Sequence, residues 1–148
     1  MKKLLVILSL LFSSVFGDCL ESYKKVYYYQ GVYAFIAITE AYAQDLVDIS
    51  KMNDDQIFYA SNDLIIEIAK EENYTKALNY IQNINKRKKN IDVAKKEFFR
   101  GYDVTPKMIQ NVEHQYGLNV KEAMYNIRRM ADKVIDNGLR ELNNCYYN

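Results

Sequence analysis

The chain has 148 residues, and its 20 Lys and Arg nearly balance its 19 Asp and Glu, for a formal charge of +1. That balance excludes a global attraction to nucleic acid or anionic lipid. One proline and five glycines disfavour a fold of many tight turns and favour long helices.

The first element is an export signal. Lys2 and Lys3 form a positive start, and Leu4 to Phe16 form an uncharged apolar run broken only by serines. Val15 and Gly17 supply the small residues of a signal-peptidase site. The run is shorter than the ~20 residues a membrane span needs, so a cleavable signal over 1–17 is expected rather than an anchor. The remaining 18–148 then form one helical domain with no transmembrane segment, carrying a charge of about −1. Asp18 stands where a lipoprotein would need a small residue before Cys19, which argues against lipidation.

Cys19 and Cys145 are the only cysteines. In an exported chain they suggest one disulfide, within the chain or between two chains, and they lack the C-x-x-C spacing of a redox pair. An intramolecular bridge needs the start of the first helix beside the end of the last.

A first long helix is expected from about Leu20 to Ile49, with Tyr28, Val32, Phe35, Thr39, Tyr42, Leu46 and Ile49 as its packing stripe. Gly31, Ala34, Ala37, Ala41 and Ala43 would let another backbone approach closely. After a connector at Ser50-Lys51-Met52, Asn53 and Gln56 resemble a capping box for a second helix ending near Glu72. Ile57, Phe58, Leu64, Ile65, Ile68 and Ala69 mark its inner face.

A third helix is expected from Asn73 or Thr75 to about Arg100, with Gly101 as a stop. Thr105-Pro106 reads as an N-cap followed by proline at the first position of a short helix ending at Gly117. Asn119 and Glu122 begin the last helix. Its stripe runs through Val120, Ala123, Met124, Ile127, Met130, Val134, Ile135, Leu139 and Leu142. The expected fold is all-α: a single-domain bundle of four or five helices, with the first and last long helices antiparallel.

Charge is segregated along the chain. Residues 40–73 carry −7 and residues 74–107 carry +6. The plainer expectation is that the two segments lie side by side and neutralise each other. The alternative is a basic patch for a partner, made of Lys86, Arg87, Lys88, Lys89, Lys95, Lys96 and Arg100. After export its partner would be a protein of the cell envelope or another anionic surface, not nucleic acid. No aromatic interleaves within 85–90, which argues against base stacking.

Catalytic and cofactor signals are sparse. His114 is the lone histidine, and neither a zinc set nor a Glu-x-x-His pair surrounds it, so no metal or other cofactor is expected. Asp45 with Asp48, and Glu67 with Glu71, share helical faces but read as solvated carboxylates. No nucleophile elbow, phosphate loop or calcium loop occurs.

Glu71-Glu72-Asn73-Tyr74-Thr75 contains a glycosylation sequon and resembles the extended acceptor of bacterial periplasmic oligosaccharyltransferases, which marks Asn73 as a modification site. Around Tyr74, Ala77 and Ile81 the chain resembles the middle of one tetratricopeptide repeat, without recurrence.

The function expected is that of an exported, periplasmic, non-enzymatic helical protein acting by protein–protein interaction, as an accessory or inhibitory component of an envelope, secretion or conjugation assembly. A helical periplasmic chaperone is the first alternative, and an enzyme using clustered carboxylates the second.

Overall fold

The computed structural model describes residues 19–46, 48 and 51–145. The expected signal peptide over 1–17, Ile49 of the first stripe and Ser50 of the connector lie outside the described residues. Five α-helices make up the described chain: α1 (Cys19–Ala43), α2 (Asp54–Glu71), α3 (Thr75–Ile84), α4 (Lys88–Tyr116) and α5 (Val120–Asn144).

Helix α1 is the axis of the molecule. It packs along α4 on one side and α5 on another, while α2 covers part of its remaining surface. Ser22 and Lys25 reach Glu141, and Glu40 takes a 2.8 Å ion pair from Arg128, so α1 and α5 run antiparallel. Tyr23 lies near Asn90, and Phe35 stacks edge-on to Tyr102, so α1 and α4 run parallel. A helix surrounded this way is buried on most of its circumference, and Cys19, Tyr23, Val26, Tyr27, Gln30, Gly31, Val32, Ala34 and Ile36 are all buried. The expected stripe is therefore corrected: Tyr28, Phe35 and Thr39 are only half-buried, while Tyr42 and Leu46 are exposed. Periodicity identifies one packed face, and α1 has several.

The tightest crossing joins α1 to α4. A Cβ built on Gly31 would lie 1.9 Å from the Phe98 carbonyl oxygen, and one on Gly101 would lie 2.0 Å from that of Tyr28. Each helix thus places a bare Cα against the other's backbone. Gly101 is a close-approach residue in mid-helix, not the expected stop.

Thr105-Pro106 likewise starts no new helix, and α4 passes through Pro106. The Thr105 hydroxyl turns back to donate to the Gly101 carbonyl at 2.7 Å, where an N-cap would reach forward. The expected third helix breaks instead at Asn85-Lys86-Arg87, between α3 and α4.

Three helices stop in left-handed turns. The residue after the cap is Asp45 (φ 56°) behind α1 and Asn73 (φ 58°) behind α2, whereas Gly117 (φ 61°) ends α4. In each, an amide bonds back five residues: Leu46 to Ala41, Tyr74 to Ala69, and Leu118 to Glu113. Asp45 explains why α1 ends at Ala43, earlier than its apolar pattern suggests. Capping follows expectation elsewhere: Asn53 and Gln56 cap reciprocally at α2, and Asn119 accepts from the Glu122 amide at α5. Helix α3 borrows its cap from α5, whose Asn143 side chain accepts from the amides of Lys76 and Ala77 at 3.0 and 3.2 Å.

Cys19 and Cys145 are joined, with Cα atoms 5.4 Å apart. The bridge fastens the start of α1 to the residue that follows α5. The core beside it runs through Tyr23, Tyr27, Phe58, Phe98 and Leu139, and a second cluster toward the α4–α5 turn contains Val32, Ile36, Ile109, Met124 and Ile127.

Candidate functional site

The α3–α4 corner is positioned by a part-buried polar network. Tyr23 and Tyr27 sit one helical turn apart on α1, both fully buried, with ring centroids 4.8 Å apart. Tyr23 donates to Asn85 Oδ1 at 2.5 Å, and Tyr27 donates to Asn62 Oδ1. Asn85 Nδ2 in turn donates to the Tyr27 hydroxyl at 3.0 Å and to Asn62 Oδ1 at 3.2 Å. Burial pushes both phenols well above the ordinary tyrosine range; at Tyr23 the neighbouring Tyr27 and Tyr80 add to the effect, whereas at Tyr27 the Asn85 bond opposes it. Both hydroxyls therefore stay protonated and able to donate. The network ties α1, α2 and the residue just before the basic run into one unit.

That anchor holds out four cations. Lys86, Arg87, Lys88 and Lys89 are all exposed at the corner, and no carboxylate lies within ion-pair distance of any of them among the described residues. Arg87 occupies the N-cap of α4 without a side-chain cap bond, and the first turn contains no acidic residue. Positive charge at a helix N-terminus opposes the helix dipole, and sequences usually place Asp or Glu there. The arrangement is unfavourable to α4 itself.

The other expected members of the patch behave differently. Lys95 pairs with Asp55 at 3.2 Å, which raises its pKa, and its ammonium stands 5.0 Å from the Tyr59 ring centre. Arg100 pairs with Glu97 at 2.8 Å and lies over Tyr28. Lys96 is exposed. The seven cations thus divide into an unneutralised corner at 86–89, two residues engaged within the bundle, and Lys96 two turns along α4 from Lys89.

Mutual neutralisation of the two charged segments is confined to one contact. Among the described ion pairs, Lys95–Asp55 alone joins residues 40–73 to residues 74–107. The plainer expectation is therefore met at that pair and not at the corner.

The remaining candidates are placed as follows. His114 is exposed near the end of α4, and among the described residues no group of three or more His, Cys, Asp or Glu could hold a metal ion. Asp45 and Asp48 border an open depression beside Tyr42 and Leu46, and Glu67 pairs with Lys70. Asn73 is exposed in the left-handed turn between α2 and α3. Its neighbour Tyr74 is tied down, donating to Asp136 and accepting from Arg140, both at 2.9 Å. No helix of the described residues is long and apolar enough to cross a membrane.

Sequence reasoning missed Asn62, Asn85 and Gln30. The signal for Asn85 was its position between an apolar helix end and a run of cations, where a half-buried amide can anchor the turn. Asn62 and Gln30 carried no sequence signal beyond being polar near apolar stripes. No protein-family model, no curated protein and no solved structure matches the chain.

Proposed function

We propose that this is an exported, periplasmic protein that works by binding another protein, with the corner Lys86-Arg87-Lys88-Lys89 as its contact surface. The partner presents an acidic patch and belongs to an envelope, secretion or conjugation assembly, of which this chain is an accessory or inhibitory component. One observation carries the reading: four adjacent exposed cations stand at a helix N-terminus with no ion pair of their own among the described residues, next to Asn85, which a part-buried network anchors. Such a site costs α4 stability, and rigid placement reduces the entropy lost on docking. The terminal disulfide supports an oxidising compartment.

The test is affinity capture from envelope extracts with the wild-type chain and with Lys86→Glu/Arg87→Glu/Lys88→Glu/Lys89→Glu. Loss of a selectively captured protein, together with weakening of wild-type capture by salt, is the expected result. Unchanged capture by the reversed variant removes the corner from the function. A chaperone would instead suppress aggregation of unrelated clients regardless of the corner's charge.

The exposed Asn73 is a second proposed site, for an N-linked glycan. It is tested by the mass of the native protein, with and without Thr75→Ala.

A further inference from the structure

A groove of about 150 Å3 lies between α1 and α2, separate from the basic corner. Its walls include Ala37, Ile38, Met52, Ile57, Ala60 and Leu64, and no charged side chain is among its described lining residues. Gln30 also lines it, with only 1% of its surface exposed.

The Gln30 amide is half satisfied. Its nitrogen donates to the Ser61 carbonyl at 3.4 Å, and its buried Oε1 has no hydrogen-bond partner among the described residues. The orientation is fixed, because the Ser61 carbonyl can only accept and so must face the nitrogen. A buried acceptor without a donor is uncommon in a folded protein and costly to leave unmade. It is also the one such side-chain atom among the described residues, and Gln30 itself lines the groove.

We propose that this groove binds a small neutral aromatic molecule carrying one N–H or O–H donor, of the indole or phenol class. An apolar space of roughly 150 Å3 suits a small aromatic molecule. The alanines of α1 and α2 present flat walls for its faces, and the donor satisfies Gln30 Oε1. The absence of charged lining residues selects a neutral ligand over an aromatic acid or amine.

The test uses indole and 1-methylindole, two rings differing in the donor. The chain contains no tryptophan, so indole emission excited above the tyrosine band reports the ligand alone. Titrating protein into indole should give a saturable blue shift, with 1-methylindole bound roughly tenfold more weakly. Phenol against toluene, followed by competition with indole, should show the same preference. Gln30→Met should abolish the preference within each pair, and Ala60→Phe, at an exposed position on the wall, should abolish binding of both indoles. Equal affinity of the wild-type chain for indole and 1-methylindole would overturn the proposal. So would a blue shift unaffected by Ala60→Phe, or no saturable shift at all. Should Gln30→Met fail to fold, the wild-type comparison and Ala60→Phe still decide.

Discussion

Replacing Gly101 by alanine tests the crossing on which the bundle is built. The new Cβ would lie 2.0 Å from the Tyr28 carbonyl oxygen and 2.9 Å from its carbon, and both are backbone atoms of a helix that cannot rotate away. Carbon–oxygen contacts between packed helices sit at roughly 3.3–3.6 Å, so α1 and α4 must separate by about 1.3 Å at that point. Separation loosens the aromatic layer of Phe58, Phe98 and Tyr102 beneath it. Alanine gains about 1 kcal/mol of helix propensity over glycine, whereas forced overpacking costs typically 1–3 kcal/mol and more when backbone must move. With the overpacking cost at the upper end of that range, as a clash with backbone implies, we expect a net loss of about 2 kcal/mol, or a fall in Tm of roughly 4–8 °C, measured by circular dichroism with the disulfide intact.

Gly31→Ala should behave alike, since its Cβ meets the Phe98 carbonyl oxygen. The double variant should cost less than the sum, because one opening relieves both contacts. Gly138→Ala is the control: its nearest obstacle is the Val26 Cγ2 methyl at 2.7 Å, a side-chain end that can shift, so its effect should be much smaller. A Gly101→Ala chain as stable as wild type, or gaining the ~1 kcal/mol of propensity, would refute the reasoning.

Removing the bridge with Cys19→Ser/Cys145→Ser opens a link between residues 126 apart, and the chain-entropy model gives a loss of up to ~5 kcal/mol, read from denaturant unfolding. Tyr27→Phe should cost about 1–3 kcal/mol by leaving the Asn62 and Asn85 amides short of a partner, and a neutral result would show the network to be energetically idle. Because Tyr23 and Tyr27 titrate above their ordinary value in the fold, the native state keeps protons that the unfolded chain releases above about pH 10. Their stabilisation is present below that pH and declines above it, by up to about 1.4 kcal/mol per pH unit for each tyrosine. The Tyr23→Phe/Tyr27→Phe chain should therefore lose stability less steeply in alkali, as followed by urea unfolding between pH 9 and 11 (roughly one unit either side of the ordinary value). Lys88→Glu and Lys89→Glu should each stabilise α4 by about 0.5 kcal/mol at low ionic strength while weakening partner capture; if they destabilise, the dipole argument is wrong.

The all-helical fold was legible because local signals and burial agreed over long stretches. Asn53 with Gln56 and Asn119 with Glu122 mark real helix starts, and the expected α5 stripe faces the core except at exposed Val120 and half-buried Met130 and Val134. The antiparallel pairing of α1 with α5 was legible from the cysteines. The α3–α4 break was not, because Gly101 and Thr105-Pro106 send stronger local signals than Asn85. At Gly101 the missing side chain serves a tertiary contact, and propensity cannot distinguish that from a stop. At Thr105 the hydroxyl bonds backward, a choice made by its buried surroundings. The basic run at the corner could be seen in the sequence, but the absence of ion pairs at 86–89 among the described residues could not, since it depends on Asp55 reaching Lys95 instead.

The central position of α1 sets the order in which the molecule can be completed. This helix is synthesised first, yet its longest partners, α4 and α5, are synthesised last. Until they arrive, Tyr23, Val26, Val32 and Ile36 lack the surfaces that bury them. Contacts that join the two ends of a chain slow folding compared with bundles built from sequential hairpins. The nascent helix must therefore be kept unaggregated for nearly the whole of synthesis, and the Cys19–Cys145 bridge can close only after Cys145 has been made. The bridge therefore marks a completed bundle, and a chain arrested before Cys145 should not contain it.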